Sequence, residues 1–298
     1  MTTPSLETVR AYYDERVEGK LRDFTHPNPR IEAAIQTLAE WAPPEPKRIL
    51  EIGCGIGATS WRMARAWPQA EVIGADVSPE SIDVATTCFR LPNLSYRAGL
   101  IEEGVLEGKF DLILMMDVYE HIALEDRASI HAAVKSLLSS ESRMVITVPT
   151  PVLQEHDRRH NASALQPVDE FVTVGDVVRI ANDTDSKLLY YREIGVWQYG
   201  DYLHTVLGRY RELVRVSWRQ QNPAPLAGFR QHLKSMLRGE QAGAAECSHY
   251  LGSDLFRPAR RNSVDRFRVS AHERNALASS WHQRSAIRAR SRNGKQGG

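Results

Sequence analysis

Apolar residues recur at helical intervals from the start of the chain: Leu6, Val9, Tyr12, Tyr13 and Val17 mark one face of an amphipathic helix over residues 5–20. After Pro27-Asn28-Pro29, the stripe Ile31, Ala34, Ile35 and Leu38 predicts a second helix, closed by the proline-rich run Trp41–Pro46. The pattern then changes period. Short, largely apolar runs at 48–52, 71–75, 111–116 and 144–148, with a weak strand signal at 94–98, alternate with helical stripes at 59–66, 79–90 and 126–138. Strands and helices alternating at this spacing mean βαβ units, hence a parallel sheet covered on both faces. Residues 188–194 and 202–207 supply two further strands, an antiparallel pair at the sheet edge. The expectation is an α/β, Rossmann-like, seven-stranded, mostly parallel sheet.

Charge divides the chain. Residues 209–298 hold 18 Lys and Arg against 6 Asp and Glu, a balance of +12, while residues 1–208 hold 20 against 31, a balance of −11. A boundary near 208 follows. The expected organisation is an N-terminal helical cap (1–46), a sheet domain (47–208), a helical extension (209–256) and a basic, disordered tail (257–298) that is rich in Arg, Ser and Asn. No apolar run approaches the roughly 20 residues that span a bilayer, and the N-terminus has no secretory apolar core. Three widely spaced cysteines form neither a disulfide framework nor a zinc pattern. A cytoplasmic location is the expectation.

The strongest local signal is Glu51-Ile52-Gly53-Cys54-Gly55-Ile56-Gly57, which joins the first strand to a helix. Glycines let the backbone turn sharply and meet a ligand without Cβ obstruction, and the helix N-terminus beyond offers free N–H groups. A purely structural turn is the competing role. Asp76 closes the second strand 19 residues after Gly57, where a carboxylate accepts hydrogen bonds from a ribose diol or, alternatively, caps the helix at Pro79. Asp117, Glu120 and His121 follow the fourth strand and so fall at the same edge of the sheet.

Glu51–Gly57 (EIGCGIG), Ala75–Ser78 (ADVS), Phe110–Ile122 (FDLILMMDVYEHI) and Met144–Pro149 (MVITVP) together resemble the class I S-adenosylmethionine (SAM)-dependent methyltransferase family, with its motif spacing over residues 48–150. Within it the chain is most similar to the ubiquinone-biosynthesis O-methyltransferases, whose Glu-x-x-Glu-His stands here as Asp117-Val118-Tyr119-Glu120-His121 and whose Asn-Pro-x-Arg stands as Asn28-Pro29-Arg30, one residue shorter. Glycan and natural-product O-methyltransferases share much of this pattern. Ser139–Arg143 replaces the usual Pro-Gly-Gly turn.

The resemblance implies SAM as cofactor. Glu51 would face the methionine amino group, Gly53, Gly55 and Gly57 would admit the ligand, and Asp76 would hold the ribose hydroxyls. Val77 and Leu100 would line the adenine slot, Met116 would cover the sulfonium, and Arg30 would pair with the methionine carboxylate. The acceptor would be a hydroxyl of a small molecule or glycan precursor. His121 is the candidate general base, because imidazole titrates near neutrality, and Glu120 would orient its ring. A structural, helix-capping His121 is the other role open to it. Asp117, Glu120 and His121 are also a candidate ligand set for Mg²⁺.

Other features carry two roles each. His156–His160 is either a substrate-facing cluster or a solvated loop. Tyr12, Tyr13 and Arg16 form a lid or pack a core, and Trp197, Tyr199, Tyr202 and His204 shape an acceptor pocket or the sheet edge. The basic tail suits an anionic surface, an acidic partner or the acidic half of a homodimer mate. An alternative function, a nucleic-acid-directed methyltransferase or binding protein, would use that tail on phosphates, but the Asn/Asp-Pro-Pro-Tyr/Trp signature of base-amino methyltransferases is absent after strand four. NAD-dependent oxidoreduction fits poorly, since the third glycine comes one residue early for G-x-G-x-x-G and no Tyr-x-x-x-Lys pair is present.

Overall fold

The computed structural model describes residues 4–26, 28–209 and 264–293, with side chains up to residue 282. Seven strands, β1 (Arg48–Ile52), β2 (Glu71–Asp76), β3 (Leu94–Ala98), β4 (Phe110–Met116), β5 (Leu138–Pro149), β6 (Lys187–Ile194) and β7 (Tyr202–Gly208), form one sheet in the order β3-β2-β1-β4-β5-β7-β6. β7 alone runs against the others. The antiparallel pair is present as the sequence indicates, with β7 inserted between β5 and the edge strand β6. The order reverses beside β1, which places a crevice at the carboxyl ends of β1, β2 and β4.

Along β4, alternate side chains enter opposite layers. Leu112, Leu114 and Met116 join Ile49, Val145 and Val206 beneath α3 (Pro29–Trp41) and α4 (Ala58–Ala66). Ile113 and Met115 join Leu50 and Ile146 beneath α6 (Arg127–Leu137) and α8 (Val174–Asp183). Both faces are covered, which is why the strands read as continuous apolar runs.

The N-terminal stripe is broken into α1 (Leu6–Asp14) and α2 (Val17–Thr25), where the single helix 5–20 was expected. Its apolar spacing carries through the break, so periodicity alone gave no sign of it. Ser5 caps α1, and Asn28 caps α3 ahead of Pro29. The turn expected at Ser139–Arg143 is absorbed into β5 as a register shift opposite Phe110–Leu112, stabilised by a Ser142 Oγ bond to the Ser139 carbonyl.

Residues 264–293 correct the expectation of a disordered tail. Ala271–Asn293 is a helix, α9, packed on α2 and on α5 (Pro79–Cys88). Phe267 and Trp281, two apolar side chains in a basic stretch, are buried there and fix it. The expected helical extension lies, from residue 210 onward, outside the described residues. No helix among the described residues is long and apolar enough to cross a membrane.

Candidate functional site

The β1–α4 turn is bound to the neighbouring strand: Gly53 and Cys54 N–H both donate to the Ala75 carbonyl, at 2.7 and 2.9 Å. Gly53, Gly55 and Gly57 all have φ between +53° and +83°, a region in which a Cβ is strained. A Cβ on Gly53 would stand 2.2 Å from Val118 Cγ2, and one on Gly57 would stand 2.6 Å from the Tyr96 ring. The three glycines therefore serve different ends. Gly53 and Gly55 line a cavity of about 520 Å³, whereas Gly57 lies behind it, against Tyr96. That volume is within the usual range for small-molecule sites.

Asp76, at the end of β2, anchors the turn. Its Oδ2 accepts the Gly55 N–H at 2.7 Å and its Oδ1 accepts the Ser78 N–H at 2.9 Å. Each oxygen keeps a further lone pair, and the carboxylate lines the cavity together with Val77 and Leu100. Leu100 is 43% exposed and stands at the rim. Glu51, only 3% exposed, accepts a short bond from Ser60 Oγ. Burial pushes its carboxyl up to about 8, against the opposing Ser60 bonds.

At the end of β4, Met116, Asp117 and His121 complete the wall. Asp117 takes φ +52° and receives Arg30 Nη1 at 2.9 Å; that carboxylate holds the Arg30 guanidinium above its ordinary range. His121 ends a single 3₁₀ turn, Tyr119–His121. Its Nδ1 lies 2.8 Å from the Val168 carbonyl. A carbonyl only accepts, so Nδ1 carries the proton and the neutral ring keeps its lone pair on Nε2. Burial lowers the pKa of the ring, which favours the neutral form.

Glu120 is 1% exposed, does not line the cavity, and lies 3.6 Å from His121 Nε2, too far for a hydrogen bond. The Val168 carbonyl orients the imidazole, the task expected of Glu120. Burial and the neighbouring Asp117 raise the Glu120 carboxyl well above the ordinary carboxylate range. The arrangement does not fit a divalent cation. Arg30 holds Asp117 Oδ2, and among the described residues no three His, Cys, Asp or Glu side chains are grouped to hold a metal.

His156–His160 lies on the mostly exposed helix α7 (Pro151–His160), and none of its residues lines the cavity. Trp197 and Tyr199 are exposed (57% and 105%). Tyr202 and His204 are buried in β7, with His204 Nδ1 2.7 Å from Thr37 Oγ1. Tyr13 does reach the cavity, and its hydroxyl donates to Gln166 Oε1 at 2.7 Å; Tyr12 and Arg16 do not line it.

Several wall residues were not anticipated from sequence. Lys20 comes from α2, Gln166 and Val168 from the loop after α7, and Arg62, Glu32 and Arg274 form a bridge across the wall. Arg62 makes a two-pronged contact with Glu32 at 2.8 and 2.9 Å, and Arg274 joins the same carboxylate at 3.4 Å. No local pattern marks these positions; they meet only when distant segments fold together, residues 264–293 supplying Arg274.

A family model described as a methyltransferase domain matches residues 49–141. A ubiquinone biosynthesis O-methyltransferase of Cereibacter sphaeroides is 40% identical over 139 residues, 43% of this chain and 55% of the relative. One from Agrobacterium fabrum is 44% identical over 120 residues, 36% of this chain and 47% of the relative. The chain thus spans about half the length of these curated relatives. The magnesium protoporphyrin IX methyltransferase of Synechocystis PCC 6803, solved with bound S-adenosylhomocysteine (SAH), superposes with a TM-score of 0.55 at 16% identity, over 68% of this chain and 99% of that one. Residues 49–141 are a methyltransferase domain, and the sheet they belong to has the Rossmann-like fold of the class I SAM-dependent methyltransferases.

Proposed function

We propose that this protein transfers the methyl group of SAM to a hydroxyl of a small molecule or glycan precursor, with His121 as general base. One observation carries the reading: an imidazole that lines the cavity, in the turn after β4, gives its Nδ1–H to Val168 and so keeps Nε2 unprotonated. The O-methyltransferase relatives support oxygen as the acceptor atom.

The residues of the cavity suit SAM. Gly53 and Gly55 put no side chain of their own into the cavity, Asp76 retains acceptor capacity for a ribose diol, and Val77 and Leu100 offer apolar contact for a base. Glu51, carrying a proton near neutrality, ionises against an ammonium. When bound, SAM supplies an activated methyl on a sulfonium, so the protein's task is chiefly positioning, with the reacting atoms roughly 3–3.5 Å apart. His121 Nε2 would take the proton of the acceptor hydroxyl as that oxygen is methylated, and the resulting imidazolium would return the proton to solvent. Such a base contributes about 10²–10⁴-fold. Tyr13, from the cap, and Met116, at the end of β4, line the same cavity.

The nucleic-acid alternative draws on the basic tail, but Arg274 is buried against Glu32 and the Phe24 carbonyl, which removes it from any phosphate-binding surface. The deciding experiment offers SAM with a panel of phenols, sugars and amines and follows SAH release. Methylation of a hydroxyl that His121→Ala abolishes supports the proposal. Methylation of amines only, untouched by His121→Ala, overturns it.

A further inference from the structure

The cations of the cavity wall are unequally partnered. Arg30 is held by Asp117, while Arg62 and Arg274 share Glu32. Lys20 is the remaining cation of the wall, and among the described residues no carboxylate pairs with it. Two contacts fix its place. Its Nζ lies 5.0 Å from the centroid of the Tyr13 ring, and a Cβ built on Gly55 would stand 3.5 Å from it. The ammonium is therefore suspended over the glycine turn, and its field reaches both Cys54 and His121.

SAM carries two cations, the sulfonium and the α-ammonium, and a single anion, the α-carboxylate. Of the acids of the wall, Glu51 suits the ammonium and Asp76 the ribose; a cation with no acidic partner suits the carboxylate. We infer that Lys20, contributed by the cap helix α2, is the partner of the methionine carboxylate, and that Arg30 is not. This inference rests on the reading of the cavity as a SAM site. Arg30 is the obvious competitor, but its Nη1 already meets Asp117 Oδ2 at 2.9 Å in a half-buried pair, and redirecting the guanidinium would leave that carboxylate without its cation. Lys20 needs no such exchange. Its compact charge sits on a flexible stem, and the Tyr13 face steadies it. SAM would then bridge the cap to the β1–α4 turn.

Binding calorimetry on the full-length protein tests this with two ligands that differ only in the carboxylate, SAM and decarboxylated SAM. Lys20→Met is expected to weaken SAM by roughly tenfold or more, the range for a hydrogen bond to a charged group, and to leave decarboxylated SAM unchanged. Lys20→Arg is expected to retain most of the SAM affinity. Arg30→Met is expected to keep the preference for SAM over its decarboxylated form. Equal losses for both ligands in Lys20→Met, no loss for either, or an Arg30→Met protein that no longer distinguishes the two would each overturn the assignment. A wild-type protein that binds neither ligand would remove the SAM reading itself, and the role of Lys20 with it.

Discussion

The imidazole of His121 donates through Nδ1 to the main-chain carbonyl of Val168, 47 positions further along the chain, at 2.8 Å. A main-chain carbonyl cannot change protonation, so this contact fixes one tautomer across the working pH range. The lone pair is left on Nε2, in a ring that lines the cavity and is positioned by the loop that separates α7 from α8.

A pH dependence follows. Burial lowers the His121 pKa from its ordinary 6.5, and a base acts in its unprotonated form. The acidic limb of kcat/KM should therefore fall below pH 6.5, with activity lost as pH drops through it and retained above it. His121→Gln should lower kcat by about 10²–10⁴-fold and leave SAH affinity intact in calorimetry. An acidic limb that survives the substitution would assign it to another group.

Glu51 links ligand binding to protons. Its carboxyl, pushed up to about 8 by burial, is mostly protonated at pH 7, and an ammonium beside it favours the ionised form. SAM binding at pH 7 should release a fraction of a proton. Calorimetry in buffers of different ionisation enthalpy reads this directly, and Glu51→Gln should abolish it. The same shift bears on stability. A carboxyl whose pKa is higher folded than unfolded binds more protons in the native state, so stability falls as pH rises from about 4.5 to about 8. The ligand-free Glu51→Gln protein should lack that decline.

Glu32 ties three segments together. It faces Arg62 of α4 and Arg274 of α9, both buried, and is itself about one-third exposed. Removing the shared partner of two buried guanidinium groups costs about 3–5 kcal/mol when the pair is fully buried; the exposure of Glu32 reduces this to about 1–3 kcal/mol. Glu32→Gln should lower the thermal midpoint and speed proteolysis within 264–293 more than within the sheet. Equal susceptibility of both regions would show that α9 does not depend on this bridge.

The sheet could be read almost strand by strand because βαβ units bury both faces, and Leu112–Met116 shows its apolar character without interruption. The glycine turn and Asp76 were legible too, since left-handed backbone and a carboxylate at a strand end leave clear marks in sequence. Gly57 shows the limit. Its spacing is that of a ligand-facing glycine, yet its missing Cβ makes room for Tyr96, 39 positions away. Lys20, Gln166, Val168 and Arg274 left no local mark, because their roles arise from chain segments that meet only after folding. α9 was misjudged for a related reason. Average composition across a basic stretch hides two well-placed aromatics, Phe267 and Trp281, and these are enough to dock it.

Calorimetric titration of SAH into wild-type and Asp76→Ala protein bears most directly on the whole account. One SAH per chain, weakened at least tenfold by loss of the carboxylate at the end of β2, is the predicted result, in line with the loss of hydrogen bonds to a charged group. Undiminished affinity in Asp76→Ala would contradict the account, because the ligand would then lie somewhere other than across the ends of β1 and β2.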